Sequence, residues 1–180
     1  ESAEGTVLAM LPYLKGHNPI ELEQLRWKIM GPTASLYNSR MQIHAALEMA
    51  CIDLVGKRLG IRACDLLGGA IREKVEFASY LFYRYASGDA GGETQPDEIV
   101  AHAKDLKAKH GFKVHKLKGG HFSPDHDISV MKALAEAFPN DRLRLDPNAV
   151  WSVEESIRVG KAIEHLNNDY FEDPTWGLEG

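Results

Sequence analysis

The sequence predicts an α/β fold: a partial (β/α)8-type, TIM-like barrel over residues 71–180, preceded by a helical subdomain over residues 1–70. Three observations predict it. Beyond residue 70, strand and helix patterns alternate, strand first and strand last, which is the signature of a parallel sheet with right-handed crossovers. Polar residues close successive strands at near-constant spacing, 28 residues from Lys118 to Asp146 and 26 from Asp146 to Glu172. The C-terminal strand edge is where a barrel builds its site, whereas a doubly wound sheet gathers ligands at a single crevice.

The helical part shows no obvious element before Asn18. There, Asn18-Pro19 followed by Glu21 supplies a cap, a first-turn proline and a capping-box acid for an amphipathic helix through Ile20, Leu22, Leu25 and Ile29, ended by Gly31-Pro32. A second helix is expected from about Met41 to Lys57. Its stretch AALEMACIDLVG is apolar on nearly every side except at Glu48 and Asp53, which predicts a buried helix. The turn-rich GIRACDLLGG (60–69) closes the subdomain.

VEFASYLFY (75–83) is the first expected strand, with Tyr80, Phe82 and Tyr83 read as core. After a loop rich in Gly, Asp and Ser, Pro96 opens a helix with Ile99, Ala103, Leu106 and His110 on one face. FKVHKLK (112–118) is the second strand, and Ser123-Pro124 caps a helix carrying Ile128, Met131, Leu134 and Phe138. RLRLD (142–146) is the third strand, Ser152 with Glu155 opens a helix to about Leu166, and DYFED (169–173) is the fourth strand. A complete barrel takes roughly 250 residues, but only 106 follow Lys74, so about four of eight strands are expected and the chain reads as an interior portion of a longer protein.

Composition narrows the function classes. With 44% hydrophobic and 26% charged residues, the 180-residue chain can bury a real core. A net charge of -5 without blocks of like charge argues against a nucleic-acid surface or a basic membrane face, so an anionic substrate needs local positive groups or a metal. No apolar run is long enough to span a bilayer, and the first residues show no signal-peptide pattern. Cys51 and Cys64 read as reduced core residues of a cytoplasmic protein and lack a cationic neighbour that would make a nucleophile.

The chemistry concentrates at the strand ends. Along FKVHKLK, alternation puts Val114, Lys116 and Lys118 on one face and His115 and Leu117 on the other. Adjacent strand ends then offer two lysines, Asp146 with Asn148 two residues on, and Glu172. Paired carboxylates are hard oxygen ligands suited to Mg2+, and a lysine beside another cation has its pKa lowered and can act as a neutral base. Together they suggest abstraction of a proton next to a carboxylate, with the metal stabilising the enediolate. Each piece alone has a plainer explanation: Lys-x-Lys as a solvated strand face, Asp-Pro-Asn as a turn and Glu-Asp-Pro as a strand stop.

YLFYR (80–84), HGFKVHKLKGG (110–120), LRLDPNAVWS (143–152) and YFEDP (170–174) together resemble the enolase superfamily, and within it the glucarate dehydratase subgroup. ALEMACIDLVGKRLG (46–60) with CDLLGG (64–69) is similar to the end of that family's α+β capping domain. The resemblance implies that residues 1–70 are the C-terminal helical part of the cap and 71–180 the first half of a Mg2+-dependent barrel acting on acid sugars. It implies Lys118 as the base, Lys116 as its partner that tunes the pKa and meets the substrate carboxylate, Asp146 and Glu172 as metal ligands, and Asn148 and Tyr80 as substrate contacts. Family members take a third ligand from the fifth strand and a histidine–aspartate acid/base pair from later strands, none of which lies in these residues. Trp176 is bulkier than the resemblance leads one to expect at that point. The expected protein is a cytoplasmic, homo-oligomeric hydro-lyase of carbohydrate catabolism with a small-molecule substrate and neither nucleic-acid nor membrane partner. A racemase or epimerase built on the same site, and a non-catalytic binding protein, are the alternatives.

Other features have ordinary readings. His102, His110, His115, His121 and His126 do not share a face of one element and read as surface histidines, with His121 above the strand end the one to watch. Gly119-Gly120 lacks the helix-opening fingerprint of a phosphate cradle and reads as turn geometry or close approach to substrate.

Overall fold

The computed structural model describes residues 3–34 and 40–177. Leu178, Glu179 and Gly180, which end the Trp176 segment, lie outside the described residues. The chain divides into two compact units, Glu1–Lys74 and Val75–Gly180.

The first unit is helical, with α1 (Ala3–Leu14), α2 (Leu22–Met30), α3 (Arg40–Leu59) and the short α4 (Ala63–Leu66). Helix α1 is unanticipated from the sequence; Pro12 sits within its last turn, where the missing N–H removes one late hydrogen bond without ending the helix sooner. Asn18 does not cap α2. Its side chain closes a local turn, accepting from Ile20 N–H at 3.4 Å and donating to Glu21, and α2 starts only after Glu21. Met10, Leu25 and Ile29 form the small core, joined by Leu14, Ile43, Leu47 and Cys51. The expectation that α3 is buried all round fails: Met41, Met49 and Leu54 are exposed and only His44, Val55 and Gly56 are buried. Apolar composition shows which faces a helix can bury, but a neighbouring element has to cover them. Cys51 and Cys64 are free and only half-buried, so Cys64 in particular is not a core residue.

The second unit is β1 (Ser79–Phe82), α5 (Pro96–His110), β2 (Val114–Lys118), α6 (Pro124–Ala137), β3 (Arg142–Asp146), α7 (Val153–Ile163) and β4 (Asn168–Phe171). All neighbouring strands are parallel, in the order β1-β2-β3-β4, so the sheet winds in one direction and remains open. That is the order of a barrel segment. The helices begin where the sequence says. Glu98 accepts the Gln95 N–H at 2.8 Å at the start of α5, Ser123 accepts from His126 N–H to start α6, and Ser152 with Glu155 forms a capping box on α7. Gly111 ends α5 in the left-handed region, its N–H donating to Lys107 O. β1 is shorter than expected, and Val75 and Phe77 ahead of it are exposed.

One sheet face carries Leu81, Leu117, Leu143 and Leu145, all fully buried with Ile99, Met131, Leu134 and Val159. The other face, turned away from α5, α6 and α7, carries Tyr80, Phe82, Lys116, Lys118, Arg144 and Asp146 in adjoining register. Tyr80 and Phe82 are therefore not core, contrary to the reading of that aromatic strand; each is 42% exposed. His115 corrects the histidine reading in the opposite sense. It is fully buried, its Nδ1 2.6 Å from Ser79 Oγ, its Nε2 3.0 Å from Asp141 Oδ2, and its ring 4.2 Å from the Phe138 ring. Asp141 in turn accepts from Lys107.

Burial pushes the His115 pKa below the ordinary histidine value, with Asp141 opposing that shift and Lys107 assisting it. The unfolded chain therefore takes up a proton first as pH falls. The stability this neutral histidine contributes is complete above about pH 6.5 and is lost as pH drops through the lower folded value. Denaturant midpoints measured from pH 7.5 to 5 should fall, and the fall should be smaller in His115→Gln. His44, shifted the same way by burial first and nearby arginines second, accounts for a remaining part.

Candidate active site

The site lies where β2, β3 and β4 end. Lys118 is the last residue of β2 and Asp146 the last of β3, paired in register, and Glu172 follows β4 directly, its N–H donating to Leu145 O. Alternation alone turns Lys116, Lys118, Arg144 and Asp146 to the face away from α5, α6 and α7. Lys118 Nζ is 2.6 Å from Asp146 Oδ2, and Lys116 Nζ is 3.0 Å from the same oxygen and 2.6 Å from Glu172 Oε2. Asp146 Oδ1 accepts the Asn148 N–H at 3.0 Å. The four charged residues expected from the sequence are thus in direct contact across separations of 28 to 56 residues.

Tyr80 joins them. The Lys116 ammonium lies 5.2 Å from the centre of its ring, and its hydroxyl helps to raise the Lys118 pKa. Asn148 takes part through its backbone; it and Ala149 adopt left-handed conformations, at φ 58 and 61, in the turn that follows Asp146. Two further residues were not singled out from the sequence. Arg144, two residues before Asp146, lies 4.7 Å over the Tyr170 ring and pairs with Asp169 at 2.7 Å, and the Tyr170 ring is 5.9 Å from Lys116 Nζ. Period-two alternation in RLRLD and DYFED was the signal that could have found both.

The electrostatics overturn one expectation. Lysine pKa values are not lowered by mutual repulsion in this arrangement. Burial alone would lower both, but hydrogen bonds to Glu172 and Asp146 raise Lys116, and those to Asp146 and Tyr80 raise Lys118. Asp146 is nearly inaccessible, and burial alone would raise its pKa; the two ammonium groups and the Asn148 N–H override that and hold it below the ordinary carboxylate range. Carboxylates at 2.6 to 3.0 Å outweigh a neighbouring like charge, so both lysines are cations here.

The donor set suits a hard divalent cation in two positions. Asp146 and Glu172 offer only oxygen donors, and both lie within reach of the Lys116 ammonium. Among the described residues no group of three or more His, Cys, Asp or Glu side chains gathers around one point. The histidines have separate partners: His126 Nε2 meets Thr94 O at 2.7 Å, His102 meets Arg84, and His121 lies against Tyr85 and Phe122. Trp176 is 86% exposed.

Residues 98–180 match the family described as enolase C-terminal domain-like. Over 147 residues, 77% of this chain and 34% of the relative, the chain is 42% identical to a Streptomyces coelicolor protein named "Probable glucarate dehydratase". The chain belongs to the enolase superfamily. Another enolase-superfamily relative is the L-talarate/galactarate dehydratase of Salmonella typhimurium, 28% identical over 93% of this chain and 41% of its own length. A crystal structure of an enolase from Pseudomonas fluorescens Pf0-1 with bound magnesium, potassium and tartrate superposes with a TM-score of 0.82 at 34% identity, covering 91% of this chain and 44% of that one. Racemases and cycloisomerases occur among the relatives as well. The chain spans between about a third and just under half the length of these enolase-superfamily proteins. No helix among its described residues is long and apolar enough to cross a membrane.

Proposed function

We propose that this chain is part of a Mg2+-dependent acid-sugar dehydratase of the glucarate dehydratase type. The observation that carries the reading is the convergence of Lys116, Lys118, Asp146 and Glu172 on one open strand-end edge. Similarity to the two dehydratases supports it, as does tartrate, a hydroxy-diacid, in the Pseudomonas fluorescens structure.

Asp146 and Glu172 would hold the cation, whose contribution is positive charge against the substrate carboxylate and the electron density that builds there as the α-proton leaves. Lys118 takes that proton. Its protonated state is held by Asp146 and Tyr80 against burial; a carboxylate engaged as a metal ligand would hold it less, which would favour the neutral base. Lys116, flanked by the Tyr80 and Tyr170 rings, stays a cation and meets the substrate carboxylate. Tyr80 and Asn148 would contact substrate hydroxyls beside it. Electron flow from the broken C–H bond then expels the β-hydroxyl, which leaves as water on taking a proton from an acid group outside these residues, and the resulting enol tautomerises to a keto acid.

The test is a panel of aldarates and aldonates offered to the full-length protein, with product read as keto acid. Turnover should vanish in a chelator and return with Mg2+; turnover indifferent to chelation would overturn the metal assignment. Solvent deuterium entering recovered substrate with inverted configuration, and no keto acid, would replace dehydration by racemisation, the reading the racemase relatives favour.

A further inference from the structure

Asp127, on α6, is fully buried and 9 residues beyond Lys118, yet the site described above does not use it. Its Oδ1 accepts the Tyr83 hydroxyl at 2.5 Å and its Oδ2 accepts the Gly120 N–H at 2.7 Å. Both oxygens are thus spent inside the protein, one on β1's exit and one on the turn that leaves β2. That turn has no room to move. A Cβ at Gly119 would stand 2.6 Å from Asp127 Oδ2 and 2.9 Å from Leu145 Cδ1, and one at Gly120, where φ is +79, would stand 2.5 Å from Pro147 O. The Gly119 N–H donates to Asp146 O at 3.0 Å.

We propose that Asp127 is a positioning residue, anchoring the Gly119-Gly120 turn beneath the site and thereby fixing Lys118 and Asp146 relative to each other. The backbone following Lys118 is clamped between the Asp127 carboxylate on one side and the Pro147 carbonyl of the Asp146 turn on the other. Glycines stand at 119 and 120 because the clamp leaves no space for a side chain. This gives a physical cause for the turn-geometry reading of Gly119-Gly120: the close neighbours are Asp127, Leu145 and Pro147. The inference rests on the proposed roles of Lys118 and Asp146. A shift of the turn moves both groups, and misplacement of reacting groups by about 1 Å can cost on the order of a hundredfold in rate.

The experiment compares Asp127→Leu with Asp127→Asn in the full-length protein, reading steady-state kinetics and amide hydrogen exchange across 112–122. Asp127→Asn can keep both bonds, its amide oxygen taking the Gly120 N–H and its NH2 donating to the Tyr83 oxygen, and should stay within about threefold of wild type. Asp127→Leu leaves the Gly120 N–H unpaired, and should speed exchange at Gly119-Gly120 by about tenfold or more and lower kcat by about tenfold or more with KM within about twofold. Should Asp127→Leu not fold, Gly119→Ala, which forces a Cβ against the same carboxylate, should give the same kcat loss. Wild-type kcat in Asp127→Leu, unchanged exchange at Gly120, or equal loss in the Leu and Asn variants would overturn the anchoring role. If the wild type turns over no acid sugar while Asp127→Leu still frees the turn, the anchoring stands and the substrate class falls; if the wild type is active and the turn is unaffected, the reverse holds.

Discussion

Lys118→Ala is expected to lower turnover of the full-length protein by about a hundredfold to ten-thousandfold, the range a positioned acid–base group contributes, while the fold stays intact. The ion-pair geometry explains the second half of that expectation. Removing the Lys118 side chain leaves Asp146 with the Lys116 ammonium at 3.0 Å and the Asn148 N–H at 3.0 Å, so no buried carboxylate is orphaned. Thermal melts should therefore overlay closely, and deuterium exchange at the substrate α-carbon should disappear with the keto-acid product. Full activity in this variant would remove Lys118 as the base. Retained exchange with lost dehydration would instead make Lys118 the group that assists departure of the hydroxyl.

Asp146→Ala should fail on both stability and activity. Among the described residues Lys118 loses its carboxylate partner and Lys116 keeps Glu172, with both ammonium groups held close on one sheet face. Breaking a buried pair from one side costs about 3–5 kcal/mol. The lysine side chains here retain 14% and 21% of their exposure and can recruit water, so about 2–3 kcal/mol is expected. Denaturant titration reads that loss directly. Calorimetry with Mg2+ should show heat of binding in the wild type and none in the variant. An Asp146→Ala protein as stable as wild type would mean that the ion-pair cluster carries no net stability, and one that still binds Mg2+ with wild-type affinity would remove Asp146 from the ligand set.

The two variants separate the jobs of one cluster because its members are unequally replaceable. Asp146 is the hub, touched by both lysines and by the turn it begins, whereas Lys118 is a spoke. The same inequality explains why the lysines are cations in this structure. Under the proposed function, the carboxylate that holds Lys118 protonated is also a ligand of the cation, so base strength and metal occupancy should rise together.

Legibility from sequence differed among particular residues. RLRLD gave β3 to the residue, and FKVHKLK gave β2 with its facing pattern, because alternation and flanking turn residues are written in contiguous sequence. The strand-end placement of Lys118, Asp146 and Glu172 followed from the same local signals plus their spacing. Tyr80 and Phe82 were misplaced since an aromatic strand residue reads as core until the covering layer is known, and both are partly exposed. Met41, Met49 and Leu54 on α3 were misread for the same reason.

Sequence by itself determined which residues could share a face, where α5, α6 and α7 begin and where β3 begins and stops, and which chemical groups reach the strand ends. Only the tertiary structure decided which of those groups touch. His115 finds Ser79 36 residues away and Asp141 26 residues away, Asp127 finds Tyr83 across 44, and Lys116 finds Glu172 across 56. The direction of the lysine pKa shift belongs to this second class, for it depends on whether a carboxylate or another ammonium is the nearer neighbour. Backbone periodicity is a property of neighbouring residues and can be read along the chain. Burial, pairing and protonation depend on distances between segments, which exist only once the sheet has brought β1 to β4 side by side.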